Sequence, residues 1–218
     1  MTLSEIVTVF VSSKIKSLKT DYTWKINTKR LPINYDVGSE DNVTENLKLR
    51  QHLHKQIQYD PQNCAAICTW YVRDWGGVRG NKIKTLDDYI LATNADLIGN
   101  GTKGISTWSK ILCLRDPAEY AIYDCRVAVT LAILRQKAER AEPIYFPTLK
   151  GKSQNGTIRK AQAMLTDSVA SSNFYLNYCS LLKEVAGKVD PNVDIQRVEM
   201  ALFANALALC AYYFDQAV

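Results

Sequence analysis

One carboxylate and two amines stand close to a glycine-rich turn near the middle of this chain. Asp124 follows the apolar run Ala121-Ile122-Tyr123 and opens a stretch whose Val127, Leu131 and Leu134 are spaced for one face of a helix. Lys103 and Lys110 lie upstream, on either side of Ser106 and beyond the glycines Gly99 and Gly101, with Gly104 between them. A carboxylate so placed can stabilise positive charge that develops on a substrate. A lysine amine attacks an electrophilic carbon only when neutral, which desolvation favours, and it then holds the product as a Schiff base. Glycines let backbone N–H groups approach a phosphate, and a following helix start adds the positive end of its dipole. Each residue also has a plain structural use, since Asp is among the best N-caps and glycines between helices punctuate turns.

The elements that must position these groups are helical. Leu3, Ile6, Val7, Phe10, Val11 and Ile15 share one face, which predicts a first helix over 3–18. An extended arm follows through Tyr22, Trp24 and Ile26 to Leu31-Pro32, then a polar helix over 41–58 opened by Asp41-Asn42. Pro61 starts another helix, which the Trp75-Gly76-Gly77 run stops. Residues 85–98 predict the helix entering the glycine turn, capped by Thr85, with Asp87 and Asp88 favourable to its dipole. A second helix covers about 106–115, and Pro117 separates it from the helix that Asp124 opens. Residues 142–157, with Pro143, Pro147, Gly151 and Gly156, read as an exposed loop. Helices resume over 158–168, 172–186 and 193–215.

Helix, glycine hairpin, helix, proline break and helix-opening aspartate, ending in Ile122-Tyr123-Asp124-Cys125-Arg126-Val127, is an order that resembles the helix–hairpin–helix DNA glycosylase superfamily. The resemblance is to its 8-oxoguanine DNA glycosylase-like branch, and it covers residues 85–135, under a quarter of the chain. It implies an all-α fold of two lobes with a helix–hairpin–helix motif and a cleft, formed by one domain over 1–218. The hairpin unit spans about 85–115 and the catalytic helix runs from 124. The activity it implies is excision of a modified base from double-stranded DNA after the base is flipped from the stack. Oxidised guanine is the family's default, and a hypermodified base such as modified cytosine in phage DNA fits the branch as well.

Asp124 matches the family's catalytic aspartate. Counted back from it without gaps, the position of the bifunctional members' lysine falls on Ser106, which departs from the lyase pattern and resembles monofunctional members. Lys110, four residues on, shares that helical face and can take the role of Schiff-base lysine. Lys103, in Gly-Thr-Lys, resembles the hairpin lysine by its letters but stands a few residues too far from Asp124. Gly101, Thr102, Lys103, Gly104 and Ser106 are the candidates for gripping the DNA backbone. Trp75, Arg79, Trp108 and Tyr123 are the candidates for the base pocket or other DNA contacts, with Trp70, Tyr145-Phe146 and Gly151–Asn155 behind them. Three rival readings stand: a monofunctional glycosylase in which Asp124 activates water, a non-catalytic DNA-binding helix–hairpin–helix, and a helical interaction module in which Asp124 only caps.

Composition is compatible with all of these. The 218 residues are 47% hydrophobic and 22% charged, proportions of a globular chain, and the net charge of +5 suits a polyanion without demanding one. Six cysteines include no C-x-x-C pair and there are two histidines, so we expect no metal, no iron–sulfur cluster and no cofactor. Cys64 and Cys68 are spaced as neighbours on a helix face, and all six read as small buried hydrophobes of a reducing compartment. No apolar run approaches a membrane span and the N-terminus has no basic leader. The expectation is a cytoplasmic, nucleoid-associated monomer.

Overall fold

A computed structural model describes residues 1–138, 146–165 and 173–217. Among them every regular element is helical, and the chain divides into two units. Unit one joins Met1–Tyr22 to Tyr123–Val218, and unit two is the continuous segment Thr23–Ile122.

Unit two carries α3 (Asn42–Tyr59), α4 (Cys64–Trp70), α5 (Ile83–Leu91), α6 (Asn94–Gly99) and α7 (Ile105–Arg115). Asp41 caps α3 by accepting from the Thr44 N–H at 3.0 Å, as its position before the polar helix predicted. Pro61 opens a 3-10 turn, Pro61–Asn63, before α4 begins. After Trp70 the chain widens into a π turn, Tyr71–Trp75, which ends at Gly76. The core of the unit is α7, which buries Ile105 and every residue from Thr107 to Leu114 against its neighbours. A helix surrounded on all sides needs apolar residues all round, which Trp108, Ile111, Leu112, Cys113 and Leu114 supply.

The helix expected over 85–98 is two helices. Thr93 carries extended backbone and forms a capping box with Asp96, so the sequence Thr-Asn-Ala-Asp ends α5 and starts α6. Thr85 is an interior residue of α5, whose N-cap is Lys82. The local capping chemistry overrides a hydrophobic period that runs through the break.

Unit one carries α1 (Leu3–Lys14), α2 (Leu18–Asp21), α8 (Cys125–Arg135), α9 (Gly156–Met164), α10 (Phe174–Val189), α11 (Ile195–Ala204) and α12 (Ala206–Ala217). The first predicted helix stops at Lys14, and the last is divided at Asn205, whose buried amide turns back onto the Ala201 carbonyl at 3.0 Å. The centre of this unit is α8, buried without interruption from Val127 to Leu134. It packs on α1, α9, α11 and α12, and Thr130 donates to the Leu202 carbonyl at 3.0 Å, satisfying a hydroxyl that would otherwise cost about 1–3 kcal/mol to bury. Of the loop expected to be exposed, residues 146–155 are described and have no regular structure, but Phe146, Thr148, Leu149 and Ser153 are buried and α9 already begins at Gly156; Tyr145 and the residues from 142 lie outside the described part. Among the described residues no helix is long and apolar enough to cross a membrane.

Candidate functional site

Asp124 is the N-cap of α8. Its Oδ1 accepts from the Arg126 N–H at 2.9 Å and from the Val127 N–H at 3.0 Å. Both cap bonds land on one oxygen, so capping does not use the lone pairs of Oδ2. The residues around it in the sequence each have a structural reason to be there. Tyr123 is fully buried and donates its hydroxyl to the Pro147 carbonyl at 2.7 Å. Arg126 lays its guanidinium over the Phe203 ring, 4.6 Å from the centroid, and Val127 is fully buried. Ile-Tyr-Asp-x-Arg-Val is thus a local frame that holds one carboxylate at a helix start.

Behind Tyr123 stands an aromatic wall. Tyr178 meets Tyr123 edge-on at 5.0 Å between centroids, and Phe174 does so at 5.7 Å. Burial pushes the Tyr178 phenol well above its ordinary value, with the charge of Glu199 adding to it and Cys179, Tyr123 and Asp124 contributing less. Tyr178 therefore remains a neutral hydroxyl at any working pH.

The glycine hairpin of unit two joins α6 to α7. Gly101 and Gly104 have φ of +57° and +70°, the left-handed region where a side chain is strained. Gly104 has a second constraint, because a Cβ there would collide with the Tyr89 ring. Over Gly101–Ser106, the N–H groups of Gly101, Lys103 and Ile105 are taken up by turn bonds to Ile98, Asn100 and Thr102. Those of Thr102, Gly104 and Ser106 make no backbone bond among the described residues. Three alternate amides at a helix start form the kind of donor set that holds a phosphate oxygen. Trp108 is fully buried and donates its indole N–H to the Lys103 carbonyl at 3.0 Å, which ties the turn to the helix behind it. The Lys103 side chain itself is exposed.

Lys110 is 4% exposed in the heart of unit two. Its ammonium donates to the Ser106 carbonyl, one turn back, at 2.8 Å. The stem crosses Gly76, where a Cβ would come within 2.5 Å of the lysine Cε. Gly76 closes the π turn, so the glycine stop noted in the sequence serves to admit this lysine. Burial of an ammonium is costly unless it is hydrogen-bonded or paired, and the Ser106 carbonyl supplies such a partner.

The remaining candidates separate by burial. Trp75 is stacked on Tyr71 at 4.2 Å and 7°, donates to the Asn46 amide oxygen at 2.8 Å and lies under the Arg50 guanidinium. Trp70 and Phe146 are also buried. With Trp108 and Tyr123, these aromatics pack the interior. Arg79 is exposed, on a turn anchored to α7 by the Asn81 amide, which donates to the Thr107 hydroxyl at 2.6 Å. Asp124 belongs to unit one, whereas Lys110, Ser106, the hairpin, Trp75, Arg79 and Trp108 belong to unit two. Among the described residues no group of three or more His, Cys, Asp or Glu side chains is placed to hold a metal ion.

Cys64 and Cys68 are neighbours on a helix face, as their spacing predicts, but the cysteines are not all buried, since Cys64 and Cys125 are only half-buried. The Cys64 and Cys68 sulfurs lie 4.0 Å apart on α4. The spacing was visible in the chain, but the exposure of one partner was not.

No protein-family model, curated protein or solved structure matches this chain.

Proposed function

We propose that this protein is a DNA glycosylase that excises a modified base. The observation that carries the reading is the division of labour within Asp124: one oxygen caps α8 and the other is not needed for the cap. Breaking the N-glycosidic bond places positive charge on the deoxyribose, and a fixed carboxylate lowers the energy of that state. The hairpin amides of Thr102, Gly104 and Ser106, with exposed Lys103, take the phosphate backbone and set register without reading sequence. Arg79, exposed on its anchored turn, contacts DNA. Lys110 supplies the amine that attacks the anomeric carbon, making the enzyme an AP lyase as well. The finer architecture, two lobes with a helix–hairpin–helix and a cleft, belongs to this proposal. So do double-stranded DNA as partner, action as a monomer at the nucleoid, and service either in repair of oxidised guanine or in defence against hypermodified phage DNA.

A second reading has its own support. Ser106 occupies the expected lysine position and the Lys110 ammonium is bonded to its carbonyl, so the amine serves α7 itself. The enzyme is then monofunctional, with Asp124 activating water. Incubation with duplexes that each carry one modified base, followed by hot alkali, tests the activity: strand breaks at the modified position are expected. A full panel of oxidised and hypermodified bases without any cleavage would exclude a glycosylase. Borohydride during turnover separates the two versions, because only the lyase leaves protein covalently attached to DNA.

A further inference from the structure

Cys64 and Cys68 occupy the first and fifth positions of α4, and their thiols face each other at 4.0 Å. Two features at Cys64 favour its thiolate. It has a neighbouring thiol at 4.0 Å, and when Cys64 is the thiolate Cys68 is the partner that can donate. It also feels the positive charge of Arg115, whose guanidinium is fixed by the Ile90 carbonyl at 2.7 Å, the Ala92 carbonyl at 2.9 Å and the Asn94 amide oxygen at 2.8 Å. The Cys68 thiol, the Arg115 charge and the opposing effect of burial together bring the Cys64 thiol from 9.0 down to about 7. Cys68, fully buried, is pushed the other way and keeps its proton.

We propose that Cys64 and Cys68 form a peroxide-reactive thiol pair, with Cys64 the attacking sulfur and Cys68 the resolving one. The Cys64 thiolate attacks one oxygen of a hydroperoxide; an S–O bond forms, the O–O bond breaks, and the leaving hydroxide or alkoxide takes a proton from solvent. The sulfur is now a sulfenic acid. The Cys68 sulfur then attacks it, the S–S bond forms, the S–O bond breaks, and hydroxide leaves with the Cys68 proton as water. Closing the sulfurs from 4.0 Å to about 2.05 Å requires the first turn of α4 to open. The 3-10 turn Pro61–Asn63 runs into it and must yield with it, against the Asp60 cap, which accepts from the Gln62 N–H at 3.2 Å and the Asn63 amide at 2.8 Å.

The test uses the full chain, intact mass and peptide mapping. Iodoacetamide labelling of Cys64 across pH 5–10 should show a midpoint near 7, while half-buried Cys125 serves as the internal reference. The midpoint is the readout rather than the rate, since nucleophilicity falls along with pKa. Cys68→Ala should move the midpoint toward about 8.5, the value of an ordinary thiol, and Cys68→Ser, which restores a donor, should return it. Hydrogen peroxide should remove two hydrogens from the wild type at this pair, whereas Cys68→Ala should stop at a sulfenic acid that dimedone captures. An unshifted Cys64 midpoint in the wild type, or the same midpoint in Cys68→Ala, would overturn the pairing. A sulfenic acid that persists in the wild type would overturn resolution by Cys68.

Discussion

A carboxylate that caps a helix and a carboxylate that stabilises a cation place different demands on one side chain, and a single substitution separates them. In Asp124→Asn the amide oxygen keeps both bonds, to Arg126 and Val127, because both use a single atom. Asn caps about as well as Asp, so the thermal unfolding midpoint should hold, while base excision should fall by a factor of about 10² or more as the charge facing the sugar is lost. Near-normal turnover in a folded Asp124→Asn protein would remove Asp124 from the chemistry. Lys110→Gln asks the parallel question of the amine. The cross-link trapped by borohydride should disappear, and Lys103→Gln should preserve it while loosening binding. If the outcomes are exchanged, the exposed hairpin lysine is the nucleophile.

At the scale of elements, two glycines decide how helices approach one another. Gly104 is left-handed and lies against the Tyr89 ring, so Gly104→Ala meets both backbone strain and a steric clash. The left-handed conformation alone costs roughly 1–2 kcal/mol, and displacement of the ring adds to it. Chemical denaturation should show a loss at or above that figure, with Gly101→Ala, which has open space at its Cβ, losing only the backbone part. Gly76→Ala meets both the Lys110 stem and the Val72 carbonyl, 2.9 Å from the added Cβ. Its methyl would push the Lys110 stem, so the trapped imine should decline more than Asp124-dependent base release. Equal decline of both would mean that Gly76 serves the fold in general and not the lysine.

For the molecule as a whole the governing quantity is charge. With a net charge of +5 and a hairpin carrying exposed Lys103, DNA affinity should fall steeply between low and physiological salt as condensed counterions are released. Lys103→Ala should weaken binding to every sequence alike and reduce the slope of log K against log salt by about one contact. Affinity indifferent to salt would mean that the hairpin does not grip phosphate. The two units also have different origins in the chain. Unit two is one continuous segment, whereas unit one is assembled from both ends of the sequence, with α1 packed on α8, α10 and α11.

What the sequence determined is what short-range physics determines. Helical class follows from apolar periodicity, the start of α8 from an aspartate before an apolar run, and the start of α3 from Asp41. The glycine turn, the Gly76 stop and the beginning of α7 to within one residue were legible for the same reason. At one place two local signals competed. The period of 85–98 ran on through Thr93, but a capping box of two side chains outweighed it and made two helices. Only tertiary packing could decide burial. Trp75, Trp108 and Tyr123 carry polar tips that suit a surface as well as a core, and their indole and hydroxyl protons found carbonyl or amide oxygens inside the protein. Lys110 sits in the core because Gly76, thirty-four residues earlier, leaves room for its stem. Cys64 differs from Cys68 because one sulfur lies at the edge of the packed interior and the other within it. Spacing along a chain sets which side chains share a face; what covers that face comes from distant segments and is set by the fold.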